Sequence, residues 1–194
     1  MIKRLYDWTL ALAAGRHAPR ALGLVSFIES SVFPIPPDVL LIPMVLADRE
    51  RAFRFALICS ITSVIGGIAG YGIGYFLFET VGRAILDFYG GADQWFEQFQ
   101  REFNEWGFWW VAFAGFTPFP YKVITITSGV THLDFFVFCI ASAISRSARF
   151  YLVAALLWRF GPPIREFIER RLALLTFLFF AFLFGGFILA KYLL

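Results

Sequence analysis

A chain of 194 residues that is 59% hydrophobic and 16% charged, with a mean hydropathy of +0.71, lies outside the range of soluble domains. Those carry about 45–50% apolar and about 25% charged residues, so the composition excludes an ordinary soluble domain and indicates a polytopic membrane protein of one domain. The net charge of +3 comes from Lys and Arg scattered between apolar tracts, which report topology and lipid head groups and not a nucleic-acid partner.

In chain order, Ile2, Leu5, Tyr6, Thr9, Leu10 and Ala13 follow helical spacing, with Lys3, Arg4 and Asp7 on the other side. That pattern predicts an interfacial amphipathic helix over residues 1–20. Residues 21–28 are uncharged, Glu29 interrupts, a proline cluster follows, and residues 39–47 are uncharged again. Each arm is too short for a span of about 20 residues. The tract 21–47 therefore reads as a re-entrant hairpin. Residues 55–78 carry no charge, and residues 53–78 read as a full transmembrane helix. Gly66, Gly70 and Gly74 form a stripe on it that lets another backbone approach closely.

Residues 79–105 form a polar loop, with a second interfacial helix on the stripe Trp95, Phe96, Phe99 and Phe103. Residues 106–131 repeat the hairpin pattern, 135–158 form a second span carrying Arg146 and Arg149, and 159–171 form a basic interfacial connector. Residues 172–193 contain the last span. The expected fold is all-α: re-entrant hairpin plus transmembrane helix, twice in inverted topology, with interfacial helices and a closing C-terminal helix.

The hairpin reading rests on a doubled motif. Phe33-Pro34-Ile35-Pro36-Pro37-Asp38-Val39 and Thr117-Pro118-Phe119-Pro120-Tyr121-Lys122-Val123 superpose at an offset of 84 residues. Pro34 falls over Pro118, Pro36 over Pro120, and Asp38 over Lys122. Proline pairs, with Pro37 extending the first, break helices. In hydrocarbon a broken backbone survives only inside protein or along a wet cavity. Paired breaks in two halves point to a transporter-like binding site.

Charge supports the inversion. With a cytoplasmic N-terminus, one side carries Lys3, Arg4, Arg16, Arg20, Arg49, Arg51, Arg54, Arg159, Arg165, Arg170 and Arg171, and the other only Arg83, Arg101 and Lys191. This follows the positive-inside rule and makes the hairpins enter from opposite sides.

Five charged groups fall within the apolar tracts: Glu29, Asp38, Lys122, Arg146 and Arg149. Insertion costs about 2.5–3.5 kcal/mol each, so such groups are functional by default, although mutual salt bridging that holds the broken helices is the competing reading. Glu29 and Asp38 suit proton exchange or gating. Lys122, Arg146 and Arg149 suit a phosphate group, with Ser142 and Ser145 near the arginines. Helix N-termini after the breaks add positive dipole ends. Thr125, Thr127 and Ser128 offer hydroxyls, or simply pack helices. Ser128 and His132 stand four apart, but no nucleophile elbow frames the serine, so no enzyme is expected. Cys59 and Cys139 read as buried apolar residues. No metal or cofactor motif is present.

The run Glu29-Ser30-Ser31-x-Phe33-Pro34-Ile35-Pro36-Pro37-Asp38, followed by Gly115-Phe116-Thr117-Pro118-Phe119-Pro120-Tyr121-Lys122 and Ser128-Gly129, resembles the DedA family, best its YqaA-like branch. The superfamily includes the eukaryotic VTT-domain lipid scramblases. The resemblance spans about residues 26–158. It implies a bacterial inner-membrane protein with opposed re-entrant hairpins, moving polyprenyl phosphate or phospholipids with proposed proton coupling. The family's membrane-embedded acids map to Glu29 and Asp38. Its second motif usually carries two arginines flanking the proline. This chain has Gly115-Phe116-Thr117 before it and Lys122 after, so Arg146 and Arg149 are the candidates to supply that charge.

The function expected is a flippase or scramblase for a phosphate-bearing lipid, with membrane lipids and a proton as partners and homo-oligomerisation open. A proton-coupled small-ion or drug transporter and a non-transporting envelope-homeostasis protein are the alternatives. The three bases argue against a cationic substrate.

Overall fold

A computed structural model describes residues 17–32, 36–82, 92–117, 119–161 and 163. The expected helix over residues 1–16, Pro34, Pro118, the connector beyond residue 163 and the closing span lie outside the described residues, as does the side chain of Trp95.

Among the described residues every regular element is helical, with no strand. Helix α1 is Ala18–Ser31 and α2 is Asp38–Ala47. A 3-10 turn at Arg49–Arg51 leads into α3, Ala52–Leu77, which ends in a π-helical turn at Phe78–Gly82. Helices α4, Ala92–Glu105, α5, Gly107–Phe116, and α6, Tyr121–Val130, follow. Helix α7 is Phe135–Gly161.

Proline punctuates the elements. Pro19 sits in the first turn of α1, where a missing N–H costs nothing, and the helix starts at Ala18 instead of beyond residue 20. Glu29 does not interrupt α1, which runs on to Ser31. Pro37 and Pro120 are the N-caps of α2 and α6, so each helix restarts immediately after its proline pair. Pro43 is accepted inside the short α2.

Among the described residues, two helical stretches are long and apolar enough to cross a membrane, Arg49–Thr80 and Phe135–Gly161. Burial on α3 is inverted relative to a soluble helix. Its buried face is small and polar: Ala56, Cys59, Ser60, Ser63, Gly66, Gly70 and Gly74. Its exposed face is large and apolar, with Phe53, Leu57, Ile61, Ile65, Ile73 and Phe76. Helix α7 follows suit, exposing Phe136, Ile140, Ile144 and Leu152 while burying Ser142, Ser145 and Arg146. Hydrocarbon is the medium in which that distribution is stable, because small buried residues let backbones close together while large apolar ones meet lipid. This is an all-α membrane protein.

Helices α3 and α7 run antiparallel. The Phe53 ring lies 6.2 Å from Tyr151 and 5.9 Å from Trp158, near the end of α7. At the other end Tyr71 lies 5.6 Å from Phe135 and 5.2 Å from Phe138. Two apolar clusters occupy the two ends. One joins Ala18 and Leu22 of α1, Met44 and Val45 of α2, Phe55 of α3 and Phe150 and Leu157 of α7. The other joins Phe103 of α4, Val111 and Ala114 of α5, Tyr121 of α6, and Leu133, Phe138 and Ala141. The helix pair α1–α2 is therefore rooted at one end of the α3–α7 pair and α5–α6 at the other.

The glycine stripe serves both hairpins. A methyl group on Gly66 would stand 2.2 Å from the carbonyl oxygen of Phe27 in α1. One on Gly74 would stand 2.0 Å from that of Ile126 in α6. At Gly70 between them, it would meet Thr125 Oγ1 at 2.4 Å and Ser30 O at 3.2 Å. Gly129 of α6 returns the approach, with the Tyr71 carbonyl oxygen 2.0 Å from the same probe position.

Helix α4 docks through polar as well as apolar contacts. Gln100 and Asn104 both donate to the Thr131 carbonyl at 2.8 Å, and Phe103 is buried.

Candidate functional site

The C-terminal end of α1 and the first turns of α6 meet halfway along α3 and α7. Thr125 Oγ1 of α6 donates to Ser30 O of α1 at 3.2 Å, and Lys122 Nζ donates to Val32 O, the C-cap of α1, at 3.3 Å. Each contact joins one hairpin to the other. Around this junction Glu29 pairs with Arg146, Asp38 with Arg149, and Lys122 with the Val32 carbonyl.

Arg146 is 1% exposed. One amino group donates to Glu29 Oε2 at 2.6 Å, and Nε donates to Ser63 Oγ at 2.5 Å. Ser30 Oγ lies 2.7 Å from Ser63 Oγ and 3.1 Å from Glu29 Oε2. One donor order satisfies the whole set: Arg146 to Ser63, Ser63 to Ser30, Ser30 to Glu29, with Arg146 closing the ring. The rings of Tyr121 and Phe150 lie 4.7 and 4.8 Å from the guanidinium carbon, adding cation–π attraction. Tyr121 is itself fixed by its hydroxyl, 2.5 Å from Ser142 Oγ. A buried guanidinium is tolerable only when paired, and here Nε and one amino group have hydrogen-bond partners while two rings flank the group.

Arg149 lies one turn further along α7, and the environment changes. It is 17% exposed, and its partner Asp38, in the first turn of α2, is 19% exposed. One amino group donates to Asp38 Oδ2, the other to Thr117 O at 2.9 Å. Thr117 caps α5, so Arg149 ties hairpin α1–α2 to hairpin α5–α6. Asp38 Oδ1 is buried and, among the described residues, has no hydrogen-bond partner. The carboxylate also faces the positive end of its own helix. Lys122 occupies the first turn of α6, where that dipole opposes a cation, and compensates by reaching the negative C-terminal end of α1. Three bases and two acids leave the cluster with one positive charge in excess.

Both salt bridges use an acid from the first hairpin and an arginine from α7. The competing expectation of mutual pairing thus describes the charges as they stand, and the phosphate expectation requires at least one pair to open. Ser63 was not singled out by its sequence, yet it links α3 to Arg146. The available signal was its position at helical spacing before Gly66 and Gly70 on the small-residue stripe. Ser128 donates to Ile124 O at 2.7 Å, and His132, at φ 54°, stands 3.3 Å from Glu79 Oε1, so they form no Ser–His pair. No group of three or more His, Cys, Asp or Glu side chains suited to a metal occurs among the described residues.

The VTT domain family matches residues 35–159, a stretch holding Asp38, Lys122, Arg146 and Arg149 and beginning after Glu29. An uncharacterized protein of Haemophilus influenzae is 44% identical over 169 residues, covering 85% of this chain and 87% of its own. An uncharacterized protein of Histophilus somni is also 44% identical over 169 residues, with the same coverage. No solved structure matches. The family match and these relatives bear out the resemblance carried by the proline motifs, and the chain belongs to the VTT domain family.

Proposed function

We propose that this protein moves a phosphate-bearing lipid, a phospholipid or polyprenyl phosphate, between the leaflets of the bacterial inner membrane, with its N-terminus cytoplasmic. Family membership supports a transporter-like membrane role. The observation that carries the lipid-phosphate reading is the cluster of three bases and two acids where both helical breaks meet. In this reading α1–α2 and α5–α6 are re-entrant hairpins entering from opposite leaflets as an inverted repeat. Helix dipoles and bases at the tips attract an anionic head group, while the acyl or prenyl chain stays in lipid along the exposed apolar faces. Glu29 and Asp38 gate the site or exchange protons. No enzymatic step and no cofactor are part of this reading.

Reconstitution into liposomes tests it. Translocation of a head-group-labelled phospholipid or polyprenyl phosphate is expected above the protein-free rate and is expected to fall with Arg149→Gln. Wild-type liposomes no faster than protein-free ones would overturn the proposal.

One observation favours a second reading, a non-transporting structural role: both arginines are already neutralised by acids. On that reading Arg149→Gln lowers the melting temperature and wild-type protein moves no lipid.

A further inference from the structure

The two arginines, one helical turn apart, are held in unlike ways. Arg146 is pinned from α1 by Glu29 and Ser30, from α3 by Ser63, from α6 by the Tyr121 ring and from its own helix by Phe150. Releasing it would strand a charge that is 1% exposed. Arg149 has one carboxylate oxygen and one backbone carbonyl, and its partner's other oxygen is buried without a partner among the described residues. Lys122 has one exposed carbonyl contact, across the same junction.

We propose that Asp38 is an internal stand-in for the ligand phosphate: the phosphate binds by displacing the Asp38 carboxylate from Arg149 and the Val32 carbonyl from Lys122, while Arg146 stays bound to Glu29 as a positioning residue. This rests on the phosphate reading given above. A phosphate monoester offers Arg149 two oxygens where Asp38 supplies one, and bidentate pairing favours the exchange. It also supplies negative charge to Lys122, which has only a carbonyl and an opposing helix dipole. The displaced contacts are among those that bridge the two helix pairs, while Thr125 to Ser30 O and the Arg146 contacts remain. Anion binding therefore loosens the junction on its Asp38–Lys122 side, and a ligand that prefers the loosened state shifts the population towards it. Arg146, still tied to α1, α3 and α6, holds the remainder of the junction in place.

The test is binding to the purified full-length protein in detergent micelles, with dodecyl phosphate and inorganic phosphate as probes, read by titration calorimetry. Asp38→Asn removes the internal competitor and is expected to bind dodecyl phosphate about tenfold more tightly than wild type. Lys122→Gln is expected to bind several-fold more weakly with an unchanged melt, and it keeps the test open should Asp38→Asn not accumulate. The same gain for inorganic phosphate would identify free phosphate as the ligand, and a gain confined to dodecyl phosphate a lipid head group. Asp38→Asn binding no tighter than wild type, or Lys122→Gln binding as wild type does, overturns the exchange. If wild type binds dodecyl phosphate and moves lipid in liposomes, the lipid-transport proposal survives that failure. If wild type neither binds nor moves lipid, both fall.

Discussion

Ser63 of α3 accepts a hydrogen bond from Arg146 of α7 at 2.5 Å, near the midpoint of two antiparallel membrane-length helices. The same serine lies 2.7 Å from Ser30 of α1, so one hydroxyl joins three helices. Polar groups buried in hydrocarbon are stabilised by pairing with one another, and the ring pairs Arg146 Nε and one amino group with Ser63 and Glu29.

Breaking the ring from one side is therefore costly. Arg146→Ala leaves the Glu29 carboxylate enclosed without its cation and is expected to lose about 3–5 kcal/mol of stability. Thermal melts in detergent check this. The double variant Glu29→Gln, Arg146→Gln is expected to be less damaged than the sum of its single variants, because neither partner is left charged.

The glycine stripe gives a graded steric series. Gly66→Ala and Gly74→Ala each force a methyl into a backbone carbonyl and are expected to cost about 1–3 kcal/mol. Gly72→Ala, with nothing within 4 Å, is expected to be neutral or to stabilise by up to about 1 kcal/mol. Melts of the three variants side by side give the order.

The polar part of α4 docking runs through one carbonyl. Replacing Gln100 and Asn104 together by Ala removes both donors to Thr131 O, at about 1 kcal/mol each. Faster hydrogen exchange confined to residues 92–105 is the expected result.

The cysteines differ in access. Cys59 is fully buried between α1 and α3, where its carbonyl accepts from Ser26 at 2.9 Å, and it is expected to resist N-ethylmaleimide until the protein is unfolded in dodecyl sulfate. Cys139 is only partly buried and is expected to label first. Mass spectrometry of peptides from a timed labelling course gives the order.

The sequence carried much of this directly. Unbroken apolar tracts marked α3 and α7, and proline pairs marked where α2 and α6 restart, because proline constrains its own φ whatever surrounds it. The glycine stripe was legible as a close-approach surface, but not that two helices from opposite ends share it. Charge spacing singled out Glu29, Asp38, Arg146 and Arg149. It did not disclose their pairing, because partners 117 and 111 residues apart are set by tertiary packing. The full extent of α1 was hidden too: Glu29 reads as an interruption in a linear tract, whereas in the fold its charge is answered by α7.

The order of synthesis gives the α1–α3 contact another meaning. Helix α1 leaves the ribosome before its partner exists, yet Ser26 finds its acceptor at the Cys59 carbonyl and Ser30 its hydroxyl partner at Ser63, both 33 residues downstream. Until α3 has emerged, α1 lacks these partners, and the Ser30 hydroxyl has only the Ser26 carbonyl and the Glu29 carboxylate of its own helix to bond. Glu29 and Asp38 wait longer still, since Arg146 and Arg149 follow more than a hundred residues later. Neutralisation of both acids thus waits for the late arrival of α7.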